Sequence, residues 1–392
     1  MKNRRSFLKD TAATAASLMF VQPESVFGTP ANSAVQVGII GCGGRGLYIG
    51  NFFTQHTDAR IVALHDVFSD RLEQAQQRFQ VPANRLYKGL RAYHDLIASG
   101  VDAVAIMSPP YYHPEQVEAA VTAGKHVFLA KPVAVDVPGT HSIVASAEKA
   151  QGRLSFLVDF QTRAQPVFQE AARRVHEGAI GRPVCGQVFY HAGRLRPRTV
   201  PGASADENRL RNWVFDKVLS GDILVEQNVH VLDVANWYLR QHPLKAFGTG
   251  GRLARTDVGD CWDHFLVTYW YPQEVKIDFS SSQFLKGFSD LCIRLYGTGG
   301  TVDSHYSGAV NITGDQPWKG ADKDNTFDGG AITNVRNFVE SLKTGKLLNN
   351  GAEAAESTFT TILGRMAAYE GRLVTWDEMS KSRVRLKADL KL

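Results

Sequence analysis

Two side chains in the chain are suited to managing a proton: Lys131, within Ala130-Lys131-Pro132, and His230, within a long apolar run. When a secondary alcohol is oxidised, hydride leaves carbon for an acceptor while a base takes the hydroxyl proton. An imidazole fits that role because its unperturbed pKa lies near neutrality. An ammonium beside it could orient the hydroxyl or relay the proton. Asp222 is placed to cap a helix over 223–237, on which Glu226, His230 and Asp233 stand at i, i+4 and i+7. They would form one polar stripe on an otherwise apolar element, costly to bury unless it meets a polar network or a ligand. Lys131, His230 and Glu226 are therefore the candidate catalytic residues, with Glu226 fixing the imidazole tautomer or binding a neighbouring hydroxyl. Asp233 is a candidate substrate contact. A core histidine satisfied by Asp233 is the alternative.

Substrate-side candidates lie just before that helix. Arg211-Asn212-Trp213 offers hydrogen-bond donors and an aromatic face on which a pyranose could stack. Arg194, Arg196 and Arg198 alternate in an extended stretch and would share one face, suited to an acidic sugar or simply to solvent.

These groups need a frame, and the first half supplies one. Residues 35–40 read as a strand covered on both faces. They lead into Gly41-Cys42-Gly43-Gly44-Arg45-Gly46 and then a helix over 47–54. Gly41 allows a tight turn, Gly43 lets the backbone approach a pyrophosphate, and Gly46 lets helix and strand pack closely, with phosphates at the helix N-terminus. Gly44 and Arg45 belong to the same cradle. A second strand over 60–66 ends in Asp66, whose carboxylate would accept ribose hydroxyls and repel a 2′-phosphate. That favours NAD, although the nearby Arg71 leaves NADP open. A strand over 102–108, a helix over 113–123 and a strand over 126–129 continue the alternation of a parallel, doubly wound sheet. Ligands of such sheets sit beyond the carboxyl ends of the strands. Ser108, Pro109 and His113, with Lys131, should therefore border the nicotinamide half of the cleft, His113 reaching the nicotinamide amide or merely starting a helix. In the second half, residues 184–190, 264–271, 274–280 and 291–296 read as strands, 297–300 as a turn, and 331–342 and 354–369 as helices.

With GIIGCGGRG, SPPYYHPEQ, GKHVFLAKPVA and EQNVHVLD in this order, the chain resembles the Gfo/Idh/MocA oxidoreductases, which include glucose-fructose oxidoreductase and inositol dehydrogenase. The resemblance extends through the closing AESTFTTILGRMAAYEGRLVTWDEM. It implies an α/β fold: an N-terminal Rossmann domain, then an α/β domain with a large open, mainly antiparallel sheet whose exposed face serves oligomerisation. It also implies that Lys131 and His230 are catalytic. Two departures stand out. The family's Glu-Lys-Pro is Ala130-Lys131-Pro132 here, and where many members place Asp three residues before the histidine, this chain has Glu226 four before His230.

At 392 residues, with 44% hydrophobic and 21% charged side chains, the chain has ordinary globular composition and exceeds one comfortable core. The expected division is a signal over 1–33, a Rossmann domain over 34–153 and a substrate-binding and oligomerisation domain over 154–392. A net charge of +5, without a basic run interleaved with aromatics, argues against nucleic acid as a partner. Arg4-Arg5-Ser6-Phe7-Leu8-Lys9, followed by an uncharged stretch over 11–23, has the parts of a twin-arginine export signal, and a surface helix is the alternative. That stretch is too short for a bilayer, which takes about 20 residues. Export machinery and a periplasmic location are thus expected. Four dispersed cysteines, Cys42, Cys185, Cys261 and Cys292, suggest no metal site, while one disulfide, such as Cys261 with Cys292, stays open.

Export of a folded chain allows cofactor loading beforehand, but only slow dissociation keeps it afterwards. NAD is then expected as a retained group, and each hydride removed must be returned. Three functions fit: an oxidoreductase acting on a small-molecule sugar, glycoside or cyclitol; a redox-cycling glycoside hydrolase or epimerase that oxidises and re-reduces one sugar; or a non-catalytic sugar binder. A homo-oligomer is expected.

Overall fold

The computed structural model describes residues 34–321 and 327–391. The export signal expected over 1–33 lies outside the described residues. Strands Gln36–Ile40 (β1), Arg60–Asp66 (β2), Leu86–Lys88 (β3), Ala103–Ile106 (β4), His126–Leu129 (β5) and Phe156–Val158 (β6) form one sheet in the order β3-β2-β1-β4-β5-β6. Every pairing in it is parallel. Both faces are covered, so runs such as Ala103 to Ile106 are wholly buried and apolar throughout rather than alternating. The strand order reverses between β1 and β4, and that reversal opens a crevice at the carboxyl ends.

The helices that matter to the site are Gly44–His56 (α1), Ala205–Arg211 (α2), Asp222–Glu226 (α3), Val229–Leu239 (α4), Phe327–Thr344 (α5) and Gly351–Glu370 (α6). The first sheet runs past residue 153, where the sequence placed the end of its domain, because β6 is its sixth strand. Chain from the far end also returns to it. Phe338 of α5 packs edge-on against Phe53 and Phe128, and the Phe156 amide donates to the Leu348 carbonyl at 2.7 Å. The two domains therefore share a core.

Strands Pro183–Gly193 (β7), Lys245–Gly251 (β8), His264–Trp270 (β9), Lys276–Leu285 (β10), Asp290–Gly297 (β11), Gly300–His305 (β12), Val310–Gly314 (β13), Trp318–Ala321 (β14) and Val374–Thr375 (β15) build the second sheet. Its order is β14-β13-β12-β11-β7-β10-β9-β8-β15, antiparallel except between β7 and β10. Helices α4 and α6 cover one face. Val231, Leu232, Val234 and Ala235 of α4 are fully buried there. Strand β8 escapes sequence reading because KAFGTGG is glycine-rich. The packing supplies the reason: a Cβ on Gly250 would lie 2.4 Å from the His264 carbonyl oxygen.

The single helix expected over 223–237 is two. Gln227 and Asn228 interrupt it, both amides reaching back to the Ile223 carbonyl at 2.9 and 3.0 Å. Glu226 and His230 thus belong to different helices, and the straight polar stripe does not form. Asp222 is not the cap: Gly221 precedes α3 without a side-chain cap, and Asp222 is the first residue of that helix. Its Oδ1 accepts from the Ile223 amide at 2.6 Å, while Oδ2 accepts from the Tyr369 hydroxyl at 2.6 Å and the Trp262 amide at 3.1 Å. It ties α3 to α6 and to the approach to β9. All four cysteines are free; Cys261 lies against Ser220 and Cys292 against Asp303.

Candidate active site and dinucleotide cleft

A cleft of about 360 Å³ opens at the carboxyl ends of β1, β2 and β4. Gly41, Gly43, Gly44, Arg45, Asp66, Ser108 and Pro109 line one wall; Arg196, Arg198, Arg211 and Trp213 line the other, with Glu226 also at its edge. Local geometry suits a dinucleotide. Gly41 has φ +93, and a Cβ on Gly46 would lie 2.1 Å from the Gly41 carbonyl oxygen, so that position takes only glycine. Gly43 precedes α1 without any side-chain cap, leaving first-turn amides for an anion. The Asp66 carboxylate is fixed by the Cys42 amide at 2.8 Å and the Phe68 amide at 3.0 Å, with lone pairs to spare for ribose hydroxyls. A bound NAD would be held by these groups and would supply the hydride acceptor.

The proton-handling groups meet where β5 ends and α3 gives way to α4. Lys131 Nζ donates to Glu226 Oε1 at 3.1 Å and to the Glu226 backbone carbonyl. Glu226 thereby furnishes the carboxylate that Ala130 lacks, and its partner is Lys131 rather than the imidazole. His230 Nδ1 lies 3.1 Å from the Tyr306 hydroxyl, which itself donates to Gln161 Oε1 at 3.3 Å. With the Tyr306 proton assigned to Gln161, the imidazole proton is assigned to Nδ1 and Nε2 is the basic nitrogen. Burial, then the charges of Lys131 and Arg45, hold the His230 pKa well below its ordinary value, so the ring is neutral near pH 7. Tyr306 follows β12 in the chain, and no local pattern in the sequence marks it.

Asp233 stands apart from this group. Its wholly buried carboxylate accepts Arg163 Nε at 2.9 Å, Arg163 Nη2 at 2.9 Å and the Ser357 hydroxyl at 2.7 Å. It does not bond His230, and it is not part of the cleft lining. His113 is fully buried, with ring nitrogens 2.9 Å from both the Pro132 and Ser108 carbonyls. It links the end of β4 to the Lys131 loop instead of reaching a nicotinamide amide, and burial lowers its pKa to about 4. Ser108 donates to Gln116, and Arg45 pairs with the buried Asp159, a partner the sequence did not reveal.

The expected substrate triplet splits. Arg211 pairs with Asp70 and Glu207 at 2.9 and 2.8 Å and lies 4.0 Å over the Phe68 ring, at the Asp66 end of the cleft. The buried Asn212 amide is committed to the Arg198 backbone, Thr199 and the Asn208 carbonyl. Trp213 still faces the cleft. The three alternating arginines also separate: Arg194 pairs with Asp257, whereas Arg196 and Arg198 line the cavity. Among the described residues, Cys292, Asp303 and His305 bring metal-ligating atoms within 4.8 Å on the second sheet. Arg294 donates to both Asp303 oxygens, at 3.0 and 3.2 Å.

Residues 35–158 match an oxidoreductase family with an NAD-binding Rossmann fold, and residues 168–303 match the GFO/IDH/MocA C-terminal domain. A myo-inositol 2-dehydrogenase of Thermotoga maritima is 24% identical over 322 residues, spanning 80% of this chain and 89% of that protein. Among solved structures, aldose-aldose oxidoreductase from Caulobacter crescentus aligns with a TM-score of 0.71 at 19% identity, over 87% of this chain and 99% of that one. The scyllo-inositol dehydrogenase of Lactobacillus casei, solved with NAD(H) and scyllo-inositol, aligns with a TM-score of 0.69 at 18% identity, over 88% and 99%. At these identities the structural likeness establishes the fold, and the two consecutive family matches establish kinship: the chain belongs to the Gfo/Idh/MocA oxidoreductases, with NAD as its cofactor.

Proposed function

We propose that this protein oxidises a secondary hydroxyl of a sugar, glycoside or cyclitol, using NAD that it retains between turnovers and whose hydride is returned to the carbonyl of a second sugar. The observation that carries the reading is geometric: Lys131 is anchored on Glu226 in the neighbourhood of His230, whose pKa is held down by burial and then by the Lys131 charge. In this scheme His230 Nε2 accepts the hydroxyl proton. Tyr306 holds Nδ1–H and steadies the imidazolium that forms. Lys131 donates to the substrate oxygen as negative charge grows on it, and Glu226 fixes the ammonium's position. Trp213 offers a stacking face for a ring. The myo-inositol and aldose relatives support a polyhydroxylated substrate.

Retention and place belong to the same proposal. The paired arginines Arg4 and Arg5 support export by the twin-arginine machinery to the periplasm, where a released nucleotide would be lost. Homo-oligomerisation through the uncovered face of the second sheet is supported by Phe247 and Leu266, 46% and 54% exposed on adjacent strands. A test loads the protein with NAD, adds inositols, aldoses and glycosides in turn, and follows the absorbance of reduced nicotinamide. Stable reduction is expected. Consumption of sugar without net reduction would instead mark the redox-cycling hydrolase or epimerase, and silence towards every polyol would defeat the proposal.

A further inference from the structure

We propose that the segment over 194–203 is a built strap across the cleft, and that its Arg198, opposite Arg71, grips the dinucleotide diphosphate and slows its release. This rests on the reading that NAD occupies the cleft. After β7 the chain runs through 194–200 without helix or strand, yet its backbone is pinned. The Arg198 amide donates to Asn212 Oδ1 at 2.7 Å and the Val200 amide to Asn208 Oδ1 at 2.7 Å. Asn208 Nδ2 returns bonds to the Val200 and Ala203 carbonyls at 3.1 and 3.3 Å. Two asparagines of α2 and its C-terminal end thus replace the ladder that the segment lacks, and fix the direction in which Arg198 leaves it.

That direction is onto the glycine turn of the other domain. A Cβ on Gly44 would lie 3.6 Å from Arg198 Nη2, and a Cβ on Gly43 would lie 3.5 Å from Arg71 Nη1. Two guanidiniums from opposite walls therefore flank the same two glycines, beside first-turn amides of α1 that carry no cap. Their neighbours Arg45, Arg194, Arg209 and Arg211 are all in ion pairs with carboxylates. Among the described residues, Arg71 and Arg198 are in no such pair. Burial lowers the pKa of the half-buried Arg71, and repulsion from Arg211 and the exposed Arg198 lowers it further against the upward pull of Asp66 and Asp70. A doubly charged diphosphate relieves that repulsion, and guanidinium geometry matches its oxygens in pairs. For the ligand to leave, bonds to Arg198 must break while the strap is held by Asn208 and Asn212.

The experiment follows release of NAD from the loaded full chain, by rapid desalting and quantification of the nucleotide that remains bound. Arg198→Ala is expected to accelerate release by about 10- to 100-fold, the scale of charge-assisted hydrogen bonds. Asn212→Ala, which loosens the strap without removing charge, should act in the same direction by less. Arg173→Ala, on a surface helix in its pairs with Glu170 and Glu177 and away from both strap and cleft, should leave release unchanged. Arg198→Ala should also weaken ADP-ribose but not adenosine, which lacks the diphosphate, and thermal melting confirms that the variants are folded. Release from Arg198→Ala at the wild-type rate, or equal weakening of ADP-ribose and adenosine, overturns the strap while NAD binding stands. A wild-type chain that takes up no NAD overturns both.

Discussion

The pairing of Lys131 with Glu226 is the contact on which the proposed chemistry depends, and a double-mutant cycle measures it. The two side chains are 15% and 13% exposed, so their bond at 3.1 Å is largely shielded from water. A hydrogen bond between charged groups contributes about 1.5–3 kcal/mol when one partner is removed. The Glu226 backbone carbonyl, which also accepts from Nζ, stays in Glu226→Gln, so the ammonium is loosened rather than released. We expect Glu226→Gln to lower kcat/KM by about 10- to 100-fold, with nucleotide affinity little changed. Lys131→Met should cost more. The double variant should be no worse than Lys131→Met, giving a coupling of about 1.5–3 kcal/mol, because without the ammonium Glu226 has nothing left to position. The assay is kcat/KM for the responsive polyol, with NAD bound and melting temperature checked for each variant. Costs that simply add would refute the pairing as the means by which Lys131 is held.

Three further expectations follow from the same geometry. Because His230 acts as a base only when unprotonated and its pKa lies well below the ordinary value of about 6.5, kcat/KM should stay level as pH falls past 6.5 and drop only at more acid pH; a half-maximal point at or above 6.5 would contradict this. His113, lowered from 6.5 to about 4 in the fold, favours the native state above pH 6.5, and this contribution drains away between 6.5 and about 4 as the unfolded chain binds a proton that the native ring refuses. Those 2.5 units amount to about 3 kcal/mol, so denaturant midpoints across that range should fall less steeply in His113→Gln than in wild type. Asp66→Ala removes the acceptor of the Cys42 and Phe68 amides as well as the ribose contact, and should raise the NAD dissociation constant by more than about tenfold in equilibrium titration.

The parts legible in the sequence are those whose cause is local. Gly41, Gly43 and Gly46 declare a turn and a close approach by their spacing, Asp66 stands at a strand end, and the boundaries of β2 and β5 fall where the apolar runs place them. What was not legible depends on partners distant in the chain. Asp233 looked available until Arg163 and Ser357, one from before β7 and one from α6, closed on it. Asn212 looked like a ligand contact because nothing in its neighbourhood announces that the backbone at 198 needs an acceptor. The break at Gln227 and Asn228 has no proline or glycine to mark it, so periodicity carried the helix through. Tyr306 reaches His230 only because β11 and β12 pair as neighbours over α4.

The central claim is that an ammonium and an imidazole jointly manage one alcohol proton opposite a bound nicotinamide. Its most direct test mixes NAD-loaded Lys131→Ala with the polyol that reduces the wild type, in a single turnover followed by nicotinamide absorbance. The expected result is nucleotide still bound and no reduction on the wild-type timescale. Reduction at near wild-type rate by that variant would contradict the account.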